Sequence, residues 1–330
     1  MPVDIRTCLR EKPAILMEGA LGERLKREYR LSFDPQIAMA SLVESEEGRR
    51  ALRGLWLQYA GIARRYELPF LAATPTRRAN RERMALAGRE GELLEKNVRF
   101  LREIQRESGI EMYVGGLMGC RGDAYTGQGA LNERESLEFH RWQAERLRDG
   151  GADFLFAGIM PTLPEAVGMA GAMSGAGLPY IISFTIRRDG RLIDGTAIHT
   201  AIDRIDESMV CPPLCYMTNC VHPSIAYEAL NQPFNRTALV RKSFLGIQAN
   251  TSPLDCSELD GAEELFCSEP GGLARGMQRL RRDMGLKIMG GCCGTDARHM
   301  EAVARLLGSP GGGGDEETEN QAASHPALGK

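Results

Sequence analysis

The residues best able to do chemistry in this chain are cysteines in two places. Gly290-Gly291-Cys292-Cys293-Gly294-Thr295 sets two adjacent thiols between glycines, after the short, mostly apolar run 286–289 and before a helical pattern opening at Asp296. On a strand, two neighbouring side chains point to opposite faces. A tight glycine-rich turn can aim both at one point. Asn219-Cys220 offers a third thiol at the end of another apolar run, 214–218. Three thiolates suit a soft ion such as zinc, and three protein ligands leave its fourth position open. A thiol entering that position loses its proton to the cation's field, whereas a free thiol has a pKa of about 8.5. Cys220, Cys292 and Cys293 are therefore expected to hold a catalytic Zn2+. The plainer alternative is three buried, inert thiols. A closed structural zinc site would use a fourth protein ligand, and none stands out: His222 reads as a loop hydrogen-bonding residue and His299 as a helical one.

The elements that must bring these thiols together are short and repetitive. Apolar runs at 14–17, 69–73, 112–117, 153–157, 180–185, 214–218, 243–248 and 286–289 alternate with helical patterns at 23–29, 38–66, 90–108, 133–149, 164–173, 224–231 and from 296 onward. Strands alternating with helices imply a parallel sheet. Eight such units predict an α/β fold, a single-domain (β/α)8 TIM barrel, which takes ~250 residues plus insertions. Residues 1–308 are expected to form the barrel, with an insertion at 255–266 and a disordered tail over 309–330, where glycine and acidic residues cluster. Chemistry in this fold sits at the C-terminal ends of the strands. Glu18, Thr74, Gly119, Gly158, Thr185, Asn219, Asn250 and the three cysteines all fall at or just past such ends.

Composition narrows the partners. The 330 residues carry a formal net charge of −3, so nothing favours nucleic acid or an anionic membrane surface. No apolar run approaches the roughly 20 residues of a membrane span, and the first twelve residues carry charges rather than a signal-peptide core. Nine cysteines, an odd number without a framework spacing, point to reduced thiols and a cytoplasmic protein.

These motifs, in this order, resemble the zinc-dependent homocysteine S-methyltransferases, the family that uses betaine, S-methylmethionine or methylcobalamin as donors. The resemblance covers roughly 13–307. Gly290 to Thr295 matches the family's last zinc motif, and Thr218-Asn219-Cys220-Val221-His222-Pro223 its earlier one. Ser183-Phe184-Thr185, Asp194-Gly195-Thr196, Ala249-Asn250-Thr251 and Glu18-Gly19-Ala20-Leu21-Gly22 resemble weaker family patterns. The resemblance implies a (β/α)8 barrel, Zn2+ on the three cysteines, and attack of a bound thiol on an activated methyl group. Homocysteine becoming methionine is the leading case. It also implies substrate contacts from Glu18, Gly19, Thr74, Asn219 and Asn250. Partners would be a small thiol and a methyl donor, with a corrinoid protein or a second copy of the chain as further candidates.

The chain departs from the family on the substrate side. Glu18 stands where Asp is usual, and Gly22-Glu23 where Gly-Thr is usual. Gly158 takes the place of a carboxylate that helps hold the amino group of homocysteine. The second strand exits into Thr74-Pro75-Thr76-Arg77-Arg78, followed by Arg81 and Arg83. That basic run reads first as a solvated face, although a carboxylate-bearing substrate would suit it. Two alternatives follow: the same chemistry on another thiol or the demethylation of another compound, and a non-catalytic metal-binding barrel within a methyl-carrier complex.

Overall fold

The computed structural model describes residues 4–253 and 268–308. Eight parallel strands close into a barrel in sequence order: β1 (Ile15–Met17), β2 (Phe70–Ala73), β3 (Met112–Met118), β4 (Phe154–Met160), β5 (Tyr180–Phe184), β6 (Cys215–Val221), β7 (Phe244–Ala249) and β8 (Ile288–Gly291), with β8 returning to β1. The strands are buried on both faces, which is why they read as continuous apolar runs rather than alternating ones.

Alternation still decides which side chains go where. Met17, Leu71, Tyr113, Phe156, Ile181, Met217 and Ile288 form one cluster filling the barrel. Their neighbours Leu16, Phe70, Val114, Leu155, Ile182, Tyr216 and Met289 join the larger cluster under the helices. The helix Ile5–Glu11, which the sequence reading passed over, plugs the N-terminal end. Its Ile5, Cys8 and Leu9 pack on the inner cluster, and Lys287 Nζ donates to Leu9 O at 2.8 Å. The opposite end is left for the site.

The expected elements are revised in three places. The pattern over 38–66 is a 3-10 turn, Met39–Glu44, and then a helix, Glu46–Arg65. Ser45 breaks it: its backbone is extended and its side chain caps Gly48 N, with Glu46 and Glu47 placed favourably in the first turn. Strands β4 and β6 run three residues past their expected ends, which puts Gly158 and Cys220 on strands rather than in loops. Helices Ile198–Ser208 and Pro270–Met284 fill stretches left unassigned. The expected insertion over 255–266 and the tail over 309–330 lie outside the described residues.

Candidate metal centre and active site

Cys220 and the Cys292-Cys293 pair reach one point by different local devices. Asn219 and Val221 pair with Gln248 and Ala249, so Cys220 is an extra residue in β6, a bulge. Its φ of 60° lies in the left-handed region, which non-glycine residues rarely occupy. Strict alternation would turn Cys220 outward once Asn219 faces in. The bulge lets both residues face the mouth of the barrel. Such backbone strain persists where the surrounding structure fixes it, and it often marks a functional site.

The double cysteine sits on a turn held from three sides. Cys292 N donates to Ala249 O at 2.7 Å, and Thr251 N to Cys293 O at 3.2 Å. Thr295 Oγ1 donates to Cys292 O at 2.7 Å and accepts from Ala20 N at 3.0 Å. Gly294 has φ +80°, and its N–H donates to Glu23 Oε2 at 2.8 Å. A Cβ on Gly294 would collide with Thr251 Oγ1, so glycine is needed here for both its dihedral and its space.

The sulfurs of Cys220, Cys292 and Cys293 all lie within 4.8 Å of one another. Cys220 and Cys292 are joined as a disulfide, and Cys293 Sγ is 3.9 Å from Cys292 Sγ. Burial and the nearby Glu23 carboxylate push the Cys293 thiol up, while Arg77 pulls the other way. All three sulfurs also line an open cavity of about 430 Å³. Three sulfurs at one point with an open side is the donor set of a catalytic zinc site, and it fits that ion once the disulfide is reduced.

The cavity floor is polar. Ser183 Oγ donates to Asn219 Oδ1 at 2.6 Å, and Asn219 Nδ2 donates to Gln248 Oε1. Glu18 lines the same space, and both of its carboxylate oxygens lie 3.1 Å from Ala73 N. Burial pushes Glu18 up to about 8, only partly offset by that backbone N–H. A cationic group entering beside it would draw off its proton.

Of the residues the sequence singled out, Glu18, Gly19, Asn219 and the three cysteines line this cavity, and so does Gly158. Thr74 and Asn250 do not. The Thr74 hydroxyl is taken up by Leu117 N at 3.0 Å and Thr76 Oγ1 at 2.7 Å, and Asn250 Oδ1 by Ser252 N at 3.0 Å. Both brace strand ends. His222 caps the helix Pro223–Leu230, with Nδ1 on Ser224 Oγ and Nε2 on Ser268 Oγ. His299 bonds Asp296 and Ser268 O.

Sequence reasoning missed Gln248 and the role of Glu23; it weighed an anion site at the basic run 77–83 but ranked a solvated face first, whereas Arg77 and Arg78 line the cavity. Gln248 had a readable signal, as a lone amide in an otherwise apolar strand. Glu23 had none, because its role depends on which loops meet.

The homocysteine S-methyltransferase family model matches residues 15–307. The chain is 26% identical over 191 residues to the homocysteine S-methyltransferase YbgG of Bacillus subtilis, an alignment covering 56% of each chain and thus just over half of that relative. Among solved structures, the oxidized form of the homocysteine methyltransferase MmuM from Escherichia coli has a TM-score of 0.71 at 20% identity, covering 90% of this chain and 97% of that one. Its metallated form has the same score and identity, covering 91% and 99%. With a family model matched across nearly the whole barrel and two cysteine motifs meeting at its mouth, this chain belongs to the homocysteine S-methyltransferase family.

Proposed function

We propose that this barrel is a zinc-dependent S-methyltransferase that moves a methyl group from an activated donor to a thiol, with homocysteine, yielding methionine, as the leading acceptor. The observation that supports it most directly is the convergence of Cys220, Cys292 and Cys293 on one open cavity. When bound there, zinc would stabilise an incoming thiol as a thiolate that is still nucleophilic.

The protein's own residues do the rest. The bulge at Cys220 and the pinned 292–295 turn hold the three cysteines that would set the position of the acceptor sulfur. The sulfur attacks the methyl carbon, forming one S–C bond as the donor–methyl bond breaks. The acceptor's proton is released, and the donor leaves as a neutral thioether or amine, or as the demethylated corrinoid. Asn219, held between Ser183 and Gln248, presents a fixed polar floor. Glu18 can meet the positive charge of a sulfonium or quaternary ammonium. Barrel walls position the reactants.

The test is zinc content and methyl transfer in Cys220→Ser and Cys292→Ser, with S-methylmethionine, S-adenosylmethionine and betaine as donors. Both should vanish together; turnover by metal-free protein contradicts the proposal. Among the described residues no helix is long and apolar enough to cross a membrane. A cytoplasmic enzyme acting on small molecules, with a corrinoid protein or a second copy as candidate partners, is the setting proposed.

One observation favours a different acceptor within this chemistry. Gly158 leaves the fourth-strand wall of the cavity without a carboxylate for an amino group.

A further inference from the structure

A second cavity of about 410 Å³ opens beside the first, and the two share Arg77, Arg78, Tyr125, Gly158 and Ile159. Arg83 also faces it. Among the described residues its lining holds three arginines and one acid, Asp123. That carboxylate is already held by Tyr125 N at 2.7 Å and Thr126 N at 2.8 Å. Other arginines on this side pair with acids: Arg121 with Glu82 at 3.2 Å and Arg89 with Glu44 at 2.9 Å. Arg77, Arg78 and Arg83 make no ion pair or side-chain hydrogen bond among the described residues.

Arg78 is exposed and Arg77 and Arg83 are half-buried, but the backbone that carries them is fixed. The loop carrying Arg77 is locked to β3, with Thr76 Oγ1 donating to Leu117 O at 2.7 Å and Gln143 Nε2 to Thr76 O at 2.9 Å. Asn80 caps the helix Arg81–Leu86 by accepting from Arg83 N at 3.0 Å, which fixes where Arg83 starts. A Cβ on Gly119 would come within 2.7 Å of Arg77 Cγ, so a glycine there lets the Arg77 stem cross the end of β3. The result crowds three cations together. Partial burial and the charges of Arg83 and Arg77 push Arg78 below its ordinary value. Asp123 feels the charge of Arg77, but it is one carboxylate, already held by two backbone N–H groups, against three cations. The remaining like charge favours a bound anion.

We propose that Arg77, Arg78 and Arg83 form an anion subsite that takes the acid group of a carboxylate-bearing acceptor thiol, and that the enzyme selects its acceptor by that acid rather than by an α-amino group. The inference rests on the proposed thiol-methylating role of the three cysteines. Gly158 completes it: this position, shared by the two cavities, carries no carboxylate to hold an ammonium or repel a carboxylate.

The test uses zinc-loaded enzyme, one sulfonium donor and three matched thiols: homocysteine, 4-mercaptobutanoate, which lacks its amino group, and 3-aminopropane-1-thiol, which lacks its carboxylate. The expected order keeps 4-mercaptobutanoate within about 3-fold of homocysteine in kcat/KM and lowers the aminothiol by roughly 100-fold, the scale of a lost charged hydrogen-bonded contact. Arg77→Ala and Arg78→Ala should each raise KM for 4-mercaptobutanoate about 10-fold with kcat held within about 3-fold, and Lys at either position should recover part of it. Donor KM should not move. Arg81→Ala, outside both cavities, is the control.

Calorimetric binding of 4-(methylthio)butanoate to the protein as purified gives a readout that needs neither metal nor turnover. Arginine-dependent binding without catalysis would keep the subsite and reject the methyltransferase reading. The subsite is overturned by equal binding to wild type and the arginine variants, by better use of the aminothiol than of 4-mercaptobutanoate, or by an effect confined to donor KM.

Discussion

The two sides of the barrel mouth are built on different principles. On the side of β6, β7 and β8 every part is tied to another. Cys220 sits on a bulge, the double cysteine on a turn pinned by Thr295, Glu23 and Thr251, and the floor amides pair with each other. On the side of β2, β3 and β4 the backbone is equally fixed, but the lining includes three arginines without an ion pair among the described residues, and Gly158 adds no side chain. The first side can specify a reaction, because a metal needs definite ligands in a definite place. The second can specify a substrate, because its charges are complete only when something binds.

The largest expected difference follows from redox state. Cys220 and Cys292 cannot serve as thiolate ligands while joined as a disulfide. Treating the protein with a mild oxidant should eliminate zinc binding and methyl transfer, and reductant should restore both, while 4-(methylthio)butanoate binding on the arginine side survives. Loss of that binding on oxidation would show that the two sides are not separable.

Next in size is Gly294→Ala. The positive φ and the collision with Thr251 should together cost about 2–4 kcal/mol of stability, read by denaturant unfolding, along with metal affinity. An unchanged variant would mean the turn is looser than described.

Gly158→Glu should reshape the other side alone. Its Cβ would lie 3.1 Å from Leu117 Cδ1, a contact a side chain can yield to. The variant should favour 3-aminopropane-1-thiol over 4-mercaptobutanoate by about 10-fold more than wild type does, with zinc content unchanged. No change in preference would remove Gly158 from the specificity argument.

The smallest effect is a pH slope. Glu18 has a folded-state pKa of about 8, above its unfolded value of 4.5, because burial disfavours the charged form. The folded state therefore binds more protons between those values. Its advantage from Glu18 is fully present below about 4.5 and is lost as pH rises through about 8. In metal-free protein, Glu18→Gln should flatten this decline in unfolding free energy from pH 5 to 9. A steeper decline in the variant would contradict the assignment.

The same contrast explains what could be read from the sequence. The barrel was legible because doubly buried strands leave apolar runs at regular spacing. The meeting of the three cysteines was legible because adjacent cysteines between glycines have few structural uses. The bulge at Cys220 was not, since one extra residue in a strand changes no local pattern. Nor was the break at Ser45, where the helical spacing continues across a cap. The helix Ile5–Glu11 is short and gains its stability from the barrel it plugs. Arg77, Arg78 and Arg83 look like any solvated basic run until the fold brings β3 and β4 against them. Thr74 and Asn250 stand at strand ends as expected, yet their polar atoms serve the backbone.

The most direct test of the central claim is zinc stoichiometry in reduced protein, measured for wild type beside Cys220→Ser, Cys292→Ser, Cys293→Ser and Cys120→Ser. Cys120 packs near the triad but lies outside the three-sulfur group. The account predicts about one zinc per chain in wild type and Cys120→Ser and almost none in the other three. A full complement of zinc in any of those three, or none in reduced wild type, would contradict it.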